Sequence, residues 1–331
     1  MKYILFTILS LLICTYTNAN ISSFFLDIEQ MDRYGENYRV NILKEICQNK
    51  NEYNLVIIKA INNNGELNNE LLEQVAPYYK CFNKIFFSIN SKKWERKSND
   101  WRDTKYYNGI MDEKFIQENI DYALKNASLI KKKYPKMSLN WYIHYESNLN
   151  YLKNDSVKEA YKYYLKILSD SLYKIQSGDI LWSPAFWTPY NKLTDKDKIK
   201  LTNNLHDLFK STPKITWLHF QDILGQTSYT TCKTFKCNQS NTIYNKNFKT
   251  QNNACMNTKG NYQLMQQAIK NTNIKNMKIT MELYTTRSDT KVSFLPAPKK
   301  IITDREKCYH DNNIPIGISF ELLYWSYLKN N

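Results

Sequence analysis

Two glutamates lie at the carboxyl ends of strand-like runs and could divide acid–base and nucleophilic chemistry between them. Glu146 ends the run from Leu139, and Glu282 lies in the run from Lys278 to Leu283. A carboxyl group that stays protonated can donate a proton, while an ionised one can attack a substrate or activate water. Such a pair can act only if the fold brings both strand ends to the same face.

Strand-like runs alternate along the chain with helix-like runs, which is typical of a parallel sheet with helical crossovers. The eight strand candidates are Ser22 to Glu29, Asn54 to Ala60, Lys84 to Ile89, Leu139 to Glu146, Ile180 to Phe186, Ile215 to Asp222, Lys278 to Leu283 and Pro315 to Glu321. Helices are expected near 41–48, 69–79, 112–133, 157–175, 195–210, 260–271 and 304–311. This order predicts an α/β fold, a (β/α)8 TIM barrel with Glu146 on the fourth strand and Glu282 on the seventh.

Long irregular connections are expected after several strands, at 90–109, 225–259 and 284–300. In a barrel the segments that follow strands form the catalytic face, so their length indicates a substrate cleft. Decoration held by disulfides is the alternative. An open doubly wound sheet is disfavoured because no glycine-rich turn follows the first strand, and the chain has only 7 glycines.

Period-two alternation predicts which side chains face the barrel interior. Tyr142, His144 and Glu146 share one face of the fourth strand, and Thr280 and Glu282 share one face of the seventh. Strand one likewise groups Asp27 with Glu29, and strand eight groups Gly317, Ser319 and Glu321. Carboxylates that converge on one cavity indicate a polar site, because an unpartnered buried carboxylate is costly. Salt bridges at the barrel rim are the alternative for any single acid.

Aromatic rings and amides accompany these acids, a mixture that suits a carbohydrate with flat C–H faces and many hydroxyls. The expected substrate-binding residues are Asp222, Gln221, Glu321, His144, Tyr142, Tyr284, Trp187 and Trp182. Core packing explains some aromatic residues equally well. Trp141 and Trp217 are expected in the core, and Trp187, just beyond its strand, is the stronger cleft candidate.

The first residues have the form of a secretory signal, with an apolar core of about 11 residues where a membrane span needs roughly 20. Residues 1–19 are predicted to be removed, which leaves 20–331 as a single barrel domain exported to the periplasm or beyond the cell, without stable membrane insertion. Six cysteines then remain in an oxidising compartment, and Cys47 and Cys81 lie in successive helical segments that would be neighbours. Their disulfide is the pairing we expect.

The net charge of +15 favours anionic partners, but the lysines are scattered and form no basic run with interleaved aromatics. A nucleic-acid partner is therefore not expected. Neither a metal nor another cofactor is expected, because the four histidines show no His-x3-His spacing and Cys232 and Cys237 have no second pair of ligands. The sequence leaves the oligomeric state open.

Four short motifs resemble a family of glycoside-hydrolase-like barrels catalogued as a domain of unknown function, DUF4434. They are the segments from Trp141 to Glu146, Trp182 to Phe186, Phe220 to Gly225 and Met281 to Tyr284. His144 stands where the family pattern has proline. The resemblance implies a barrel and a carbohydrate substrate class.

The mechanism expected of an enzyme with this pair is glycoside hydrolysis with retention of configuration. Glu146 would be the general acid/base and Glu282 the nucleophile, with carboxyl groups about 5 to 5.5 Å apart. Gln221 and Asp222 would hold substrate hydroxyls or tune Glu282. The alternative is a secreted glycan-binding protein on a barrel without catalysis. The sequence does not identify the sugar or its linkage.

Overall fold

Eight parallel strands close into a barrel in the order β1-β12-β9-β6-β5-β4-β3-β2. The strands in chain order are β1 (Ser23–Asp27), β2 (Asn54–Ile58), β3 (Ile85–Ile89), β4 (Asn140–Ile143), β5 (Ile180–Trp182), β6 (Ile215–Gln221), β7 (Ser228–Thr230), β8 (Thr242–Tyr244), β9 (Asn276–Glu282), β10 (Tyr284–Arg287), β11 (Phe294–Pro296) and β12 (Ile316–Phe320). This computed structural model describes residues 21–28, 36–48, 53–62, 64–89, 110–145, 147–230, 242–244, 251–287, 294–320 and 322. Each of the eight predicted runs contains one barrel strand, so the predicted fold is confirmed.

Helices cover the outer surface of the barrel. They are α1 (Glu36–Ile46), α2 (Asn69–Val75), α3 (Glu113–Lys133), α4 (Asp155–Ile175), α5 (Asp195–Ser211), the short α6 (Leu224–Thr227), α7 (Gln251–Ala268) and α8 (Lys299–Asp311). Side-chain hydrogen bonds cap the first turn of several of these helices. Asp112 accepts hydrogen bonds from two backbone N–H groups of α3, and Thr194 forms a capping box with Asp197 at α5. Helix α7 begins earlier than predicted. Its first turns are rich in asparagine and carry no clear apolar period, so the sequence did not indicate a helix there.

The apolar residues form two layers on either side of the barrel wall. Inside the barrel lie Phe25, Val56, Ile58, Phe86, Tyr142, Leu181 and Ile318. A larger cluster fills the space between the strands and the helices, and it includes Trp141 and Trp182. Both faces of each strand are therefore covered, which explains the nearly continuous apolar runs of the sequence.

The connections after β6 and β9 are more regular than predicted. They contribute a second sheet of four short strands in the order β11-β10-β7-β8. Strand β10 pairs in parallel with β7 and antiparallel with β11. The expectation of irregular loops at 225–259 and 284–300 was thus wrong for these strands, because each connection forms its own antiparallel pair and the two pairs join through β7 and β10. The predicted loop at 90–109 lies outside the described residues.

Among the described residues, two disulfides join helical segments or their ends. The predicted bond between Cys47 and Cys81 is confirmed, and a second bond joins Cys255 of α7 to Cys308 of α8. Cys232, Cys237 and the predicted signal at 1–19 lie outside the described residues. In the part of the chain that the structure describes, no helix is both long enough and apolar enough to span a bilayer.

Candidate functional site

Glu282 is the last residue of β9 and points into the barrel at its carboxyl end. Parallel neighbours in register share a face, and Thr280 of β9 is paired with Gln221 of β6. Ile279 and Met281 belong to the outer apolar layer. Because side chains alternate along a strand, Thr280 and Glu282 face inward as predicted. The side chain of Glu282 is buried, and the residue is only 2% exposed.

On β12 the predicted alternation was wrong. The pairing of β12 with β9 shifts between Ile316 and Ile318, so that Ile318 is level with Thr280 and Phe320 with Glu282. An extra residue of this kind reverses which side chains face the interior. Ile318 therefore packs inside the barrel, and Ser319 does not share the inner face with the acids. Glu321, the predicted acid of this strand, lies outside the described residues.

Two buried side chains hold the backbone of Glu282 from both sides. Asp222 Oδ1 accepts a hydrogen bond from the Glu282 N–H at 3.3 Å, and Arg305 Nη1 donates to the Glu282 carbonyl at 2.6 Å. Asp222 follows β6, whereas Arg305 belongs to α8. We call these two side chains, together with Tyr309, the Glu282 clamp. Hydrogen bonds to charged groups are stronger than neutral ones, so the clamp restricts Glu282 tightly.

The Asp222 carboxylate is turned towards α8 rather than towards the barrel mouth. Its Oδ2 accepts a hydrogen bond from the Tyr309 hydroxyl at 2.8 Å, and its Oδ1 also accepts from the Leu224 N–H at 3.1 Å. Burial raises the pKa of Asp222, while the Arg305 guanidinium and these hydrogen bonds act in the opposite direction. With its oxygens engaged in this way, Asp222 contacts the Glu282 backbone, which agrees with the second of its two predicted roles, while the holding of sugar hydroxyls stays a prediction.

Gly225 leaves room for the Glu282 carboxylate. A Cβ at this position would lie 3.0 Å from Glu282 Oε2, 2.9 Å from Glu282 Cβ and 2.7 Å from the Tyr284 carbonyl oxygen. These distances are shorter than ordinary carbon contacts, so any larger residue would push against the acid. Two residues earlier, Ile223 has a φ of 53°, which is strained for a β-branched side chain. The Gln-Asp-x-x-Gly motif thus encodes a tight turn against Glu282.

A polar network joins the neighbouring strand ends inside the barrel. Thr280 Oγ1 donates to the His219 carbonyl at 3.0 Å, and Ser183 Oγ donates to the same oxygen. Gln221 Nε2 donates to the Ser183 carbonyl at 3.1 Å. Gln221, a predicted substrate-binding residue, therefore lies on the same side of the barrel as Glu282 and also braces the end of β5.

Glu146 lies outside the described residues, but the backbone on either side of it is held by the end of β5. Trp182 Nε1 donates to the Tyr145 carbonyl at 3.1 Å, and the Ala185 N–H donates to the Ser147 carbonyl at 2.9 Å. Trp182 is fully buried against the helices, in an edge contact with Phe209 of α5. The prediction that Trp182 binds sugar was wrong, because β5 ends with this side chain turned outward.

A second charged group lies at the carboxyl ends of β1 and β2. Lys59 Nζ is 3.6 Å from Asp27 Oδ2, and the φ of Lys59 is 57°. Burial and the charge of Lys59 lower the pKa of His144 to about 4, so the imidazole is neutral near pH 7. His144 Nδ1 is buried without a hydrogen-bond partner, although part of the ring remains exposed.

The predicted aromatic residues occupy different depths of this face. Tyr142 fills the barrel below His144, with ring centroids 5.7 Å apart, and Tyr284 packs against Phe320 at 5.5 Å. Trp187 is part-buried and lies against the cluster that includes Ile223 and Leu224, close to the Gly225 turn. Tyr142 therefore forms part of the barrel filling, while Trp187 lies nearer the surface.

Lys59, Arg305 and Tyr309 were not among the predicted site residues. A signal for the last two exists, because Ile302, Arg305 and Tyr309 follow one another at helical spacing and all three are buried. No local pattern marks Lys59, whose backbone conformation is unusual for lysine. Among the described residues, no group of three or more His, Cys, Asp and Glu side chains could hold a metal ion.

Comparison with known proteins shows the fold. No family model and no curated protein matches the chain. A Bacteroides thetaiotaomicron protein provisionally named an alpha-L-fucosidase aligns over 95% of this chain and 92% of its own, with a TM-score of 0.56 and 12% identity. A GH18 chitinase from Pseudoalteromonas aurantia covers 94% of this chain and 98% of its own, with a TM-score of 0.46 and 11% identity. The likeness to the first of these structures concerns the fold alone, a (β/α)8 barrel.

Proposed function

We propose that this protein is an exported glycoside hydrolase that cleaves a poly- or oligosaccharide by a retaining two-carboxylate mechanism. Glu146 is the general acid/base, and Glu282 is the nucleophile. The resemblance to the DUF4434 barrels, which stays a prediction, supports the substrate class. The disulfides support export, because such bonds persist in oxidising compartments.

The observation that carries the proposal is the way in which Glu282 is held. The Glu282 side chain faces the barrel interior at the end of its strand. Asp222 and Arg305 fix the backbone of Glu282, and Gly225 leaves space beside its carboxylate oxygen. Active sites of barrel enzymes lie at this face, and a nucleophile must be kept within a fraction of an ångström of its productive position. A merely structural acid would need no such arrangement on three sides.

His144 and Lys59 give the opposite side of the mouth its electrostatic character. The ammonium group of Lys59 lies near Asp27, and the neutral imidazole of His144 belongs to the strand that leads to Glu146. A neutral imidazole can both donate and accept hydrogen bonds, which suits a sugar hydroxyl. We assign His144, Gln221 and Trp187 to substrate contact, Asp222 to the positioning of Glu282, and the buried Tyr284 to the packing beside it.

The proposal is tested by screening the mature chain on a glycan array and measuring the release of reducing ends from every hit. On a positive glycan, Glu282→Gln and Glu146→Gln should each lower turnover by about 10²- to 10⁴-fold. Glu113→Gln, which changes an exposed acid in the first turn of α3, is the matched control and should leave turnover unchanged. Unfolding temperatures within a few degrees of one another would show that the three variants fold.

The configuration of the first product, followed by proton NMR, distinguishes the two possible mechanisms. Retention supports a carboxyl separation of about 5 to 5.5 Å and a covalent intermediate on Glu282, whereas inversion requires a separation of about 6.5 to 9.5 Å and removes that role. Tight binding of a glycan that is never cleaved would instead favour a binding protein on the same barrel. Turnover that survives both glutamine substitutions would refute the assignment.

A further inference from the structure

A groove of about 1080 Å³ lies on the outer wall of the barrel, between α5 and α7, away from Glu282. Its upper end contains Tyr190, three residues after Trp187, and its lower end contains Lys275, whose N–H donates to the Thr216 carbonyl at the start of β6. The groove therefore runs from the level of the catalytic face to the opposite end of the barrel. We name it the α5–α7 groove.

The charged residues that line this groove are all basic. Three lysines line it, Lys198, Lys270 and Lys275, and none of its described lining residues is Asp or Glu. Lys270 and Lys275 are exposed, so they are available to a ligand. Lys198 also pairs with Asp195 at the rim, which is itself 93% exposed in its side chain. Such an exposed pair is weak and leaves the groove positive.

Besides the lysines, the lining combines five amide or hydroxyl side chains with a similar share of apolar and aromatic ones. Asn203 and Thr202 come from α5, and Gln263, Gln266 and Gln267 come from α7. Each amide offers two donors and an acceptor, a combination that matches vicinal hydroxyl groups. The side chain of Ile199, 64% exposed, adds an apolar contact in the same groove. A purely electrostatic site would not need this density of uncharged hydrogen-bonding groups.

Contacts within the protein fix the side chains at the upper end of the groove. A Cβ at Gly260 of α7 would overlap the ring of Tyr190, so the glycine lets the ring lie directly on the helix. Lys198 Nζ lies 4.7 Å from the centroid of that ring, a cation–π distance. The backbone of the next residue is also fixed, because the Asn191 N–H donates to Asn257 Oδ1 at 2.9 Å. The cation is thus placed before any ligand arrives.

We propose that the α5–α7 groove binds a stretch of an acidic oligosaccharide, with the lysines on its carboxylate groups and the amides on its hydroxyls. The choice of a saccharide rests on the proposed function, whereas the choice of an anion rests on the groove alone. A chain held here extends towards Tyr190 and Trp187, and so towards the mouth of the barrel. The groove then retains the polymer near the site that acts on it.

The test is a fluorescence anisotropy titration of the mature protein with labelled oligogalacturonate, and with a neutral malto-oligosaccharide of the same length. The triple variant Lys198→Gln, Lys270→Gln, Lys275→Gln should bind oligogalacturonate roughly tenfold more weakly than the wild type, as expected for two exposed ammonium groups and the part-buried one of Lys198. A control triple with the same net charge replaces three exposed lysines outside the groove, Lys44, Lys132 and Lys136, by glutamine. It should change the affinity less than about twofold.

The uncharged residues supply a second test. Gln263→Ala together with Gln267→Ala leaves the net charge unaltered and should also weaken binding, which net charge alone would not do. Equal losses in the two lysine triples, equal binding of the neutral sugar, or no binding by the wild type would each overturn the proposal. Glu282→Gln should bind the probe as the wild type does. Lost turnover with intact binding therefore separates the barrel site from the groove.

Discussion

Because of His219, the free energy of unfolding should fall as the pH is lowered, and this can be measured without a substrate. The residue is fully buried inside the barrel on β6, where its Nε2 lies 3.1 Å from Asn276 Oδ1. Its Nδ1 has no hydrogen-bond partner and would lie 2.7 Å from a Cβ at Gly317. Burial lowers the pKa of His219 from 6.5 to about 3; the Asn276 hydrogen bond opposes this shift, and the nearby Lys278 charge adds to it.

The sign and size of the effect follow from proton linkage. Below pH 6.5 the unfolded chain takes up a proton at this imidazole, while the folded chain stays neutral until about pH 3. Stability from this group is therefore present above pH 6.5 and is lost as the pH falls, by about 1.4 kcal/mol per pH unit. Between pH 7 and pH 5 the expected loss is about 2 kcal/mol in the free energy of unfolding.

The assay is urea unfolding of the wild type and His219→Gln across this pH range. Glutamine can donate to Asn276 but does not titrate, so the variant should lose about 2 kcal/mol less than the wild type between pH 7 and pH 5, whatever its absolute stability. His310→Gln removes an exposed histidine that lies 3.5 Å from Asp311, and this control should depart from the wild type by less than about 1 kcal/mol. Parallel pH curves for the wild type and the His219 variant would refute the reasoning.

Three further outcomes are expected. Gly225→Ala should cost about 1–3 kcal/mol of unfolding free energy and lower the turnover of any glycan identified on the array, because its Cβ meets the Glu282 side chain; unchanged turnover would contradict the tight turn. Trp182→Phe should cost about 0.5–1.5 kcal/mol by removing the indole hydrogen bond to the Tyr145 carbonyl, which keeps the 3.4 Å bond from Ser147 Oγ, as chemical denaturation would show. Cys308→Ser opens a bond with a sequence separation of 53 and should cost up to about 4 kcal/mol, measured by chemical denaturation against oxidised wild-type protein.

Much of the fold could be predicted because the wall of a parallel barrel is buried on both faces. A strand buried on both faces needs a short apolar run such as Leu55 to Ile58. The crossovers between such strands are amphipathic helices, so the two patterns alternate along the sequence. The inward face of Glu282 was also predictable, since β9 has no irregularity in its pairing with β6. Simple alternation suffices wherever the strand is regular.

The features that could not be predicted depend on contacts between distant segments. The shift on β12 follows from Gly317, which brings the backbone against His219, and no local pattern reveals that approach. Trp182 was misassigned because a three-residue strand carries too little alternation to show which face is outer. Arg305 reaches the Glu282 carbonyl from a helix that begins after β11, a contact created only by closure of the barrel.

A single residue, Leu283, separates the barrel strand β9 from β10 of the small sheet. Both of its backbone groups are engaged, since its N–H donates to the Phe320 carbonyl and its carbonyl accepts from the Ala297 N–H, each at 2.8 Å. A hinged lid requires a connection that can absorb rotation of the backbone, and this joint has no such freedom. The small sheet therefore forms a fixed wall beside Glu282 rather than a hinged lid over it.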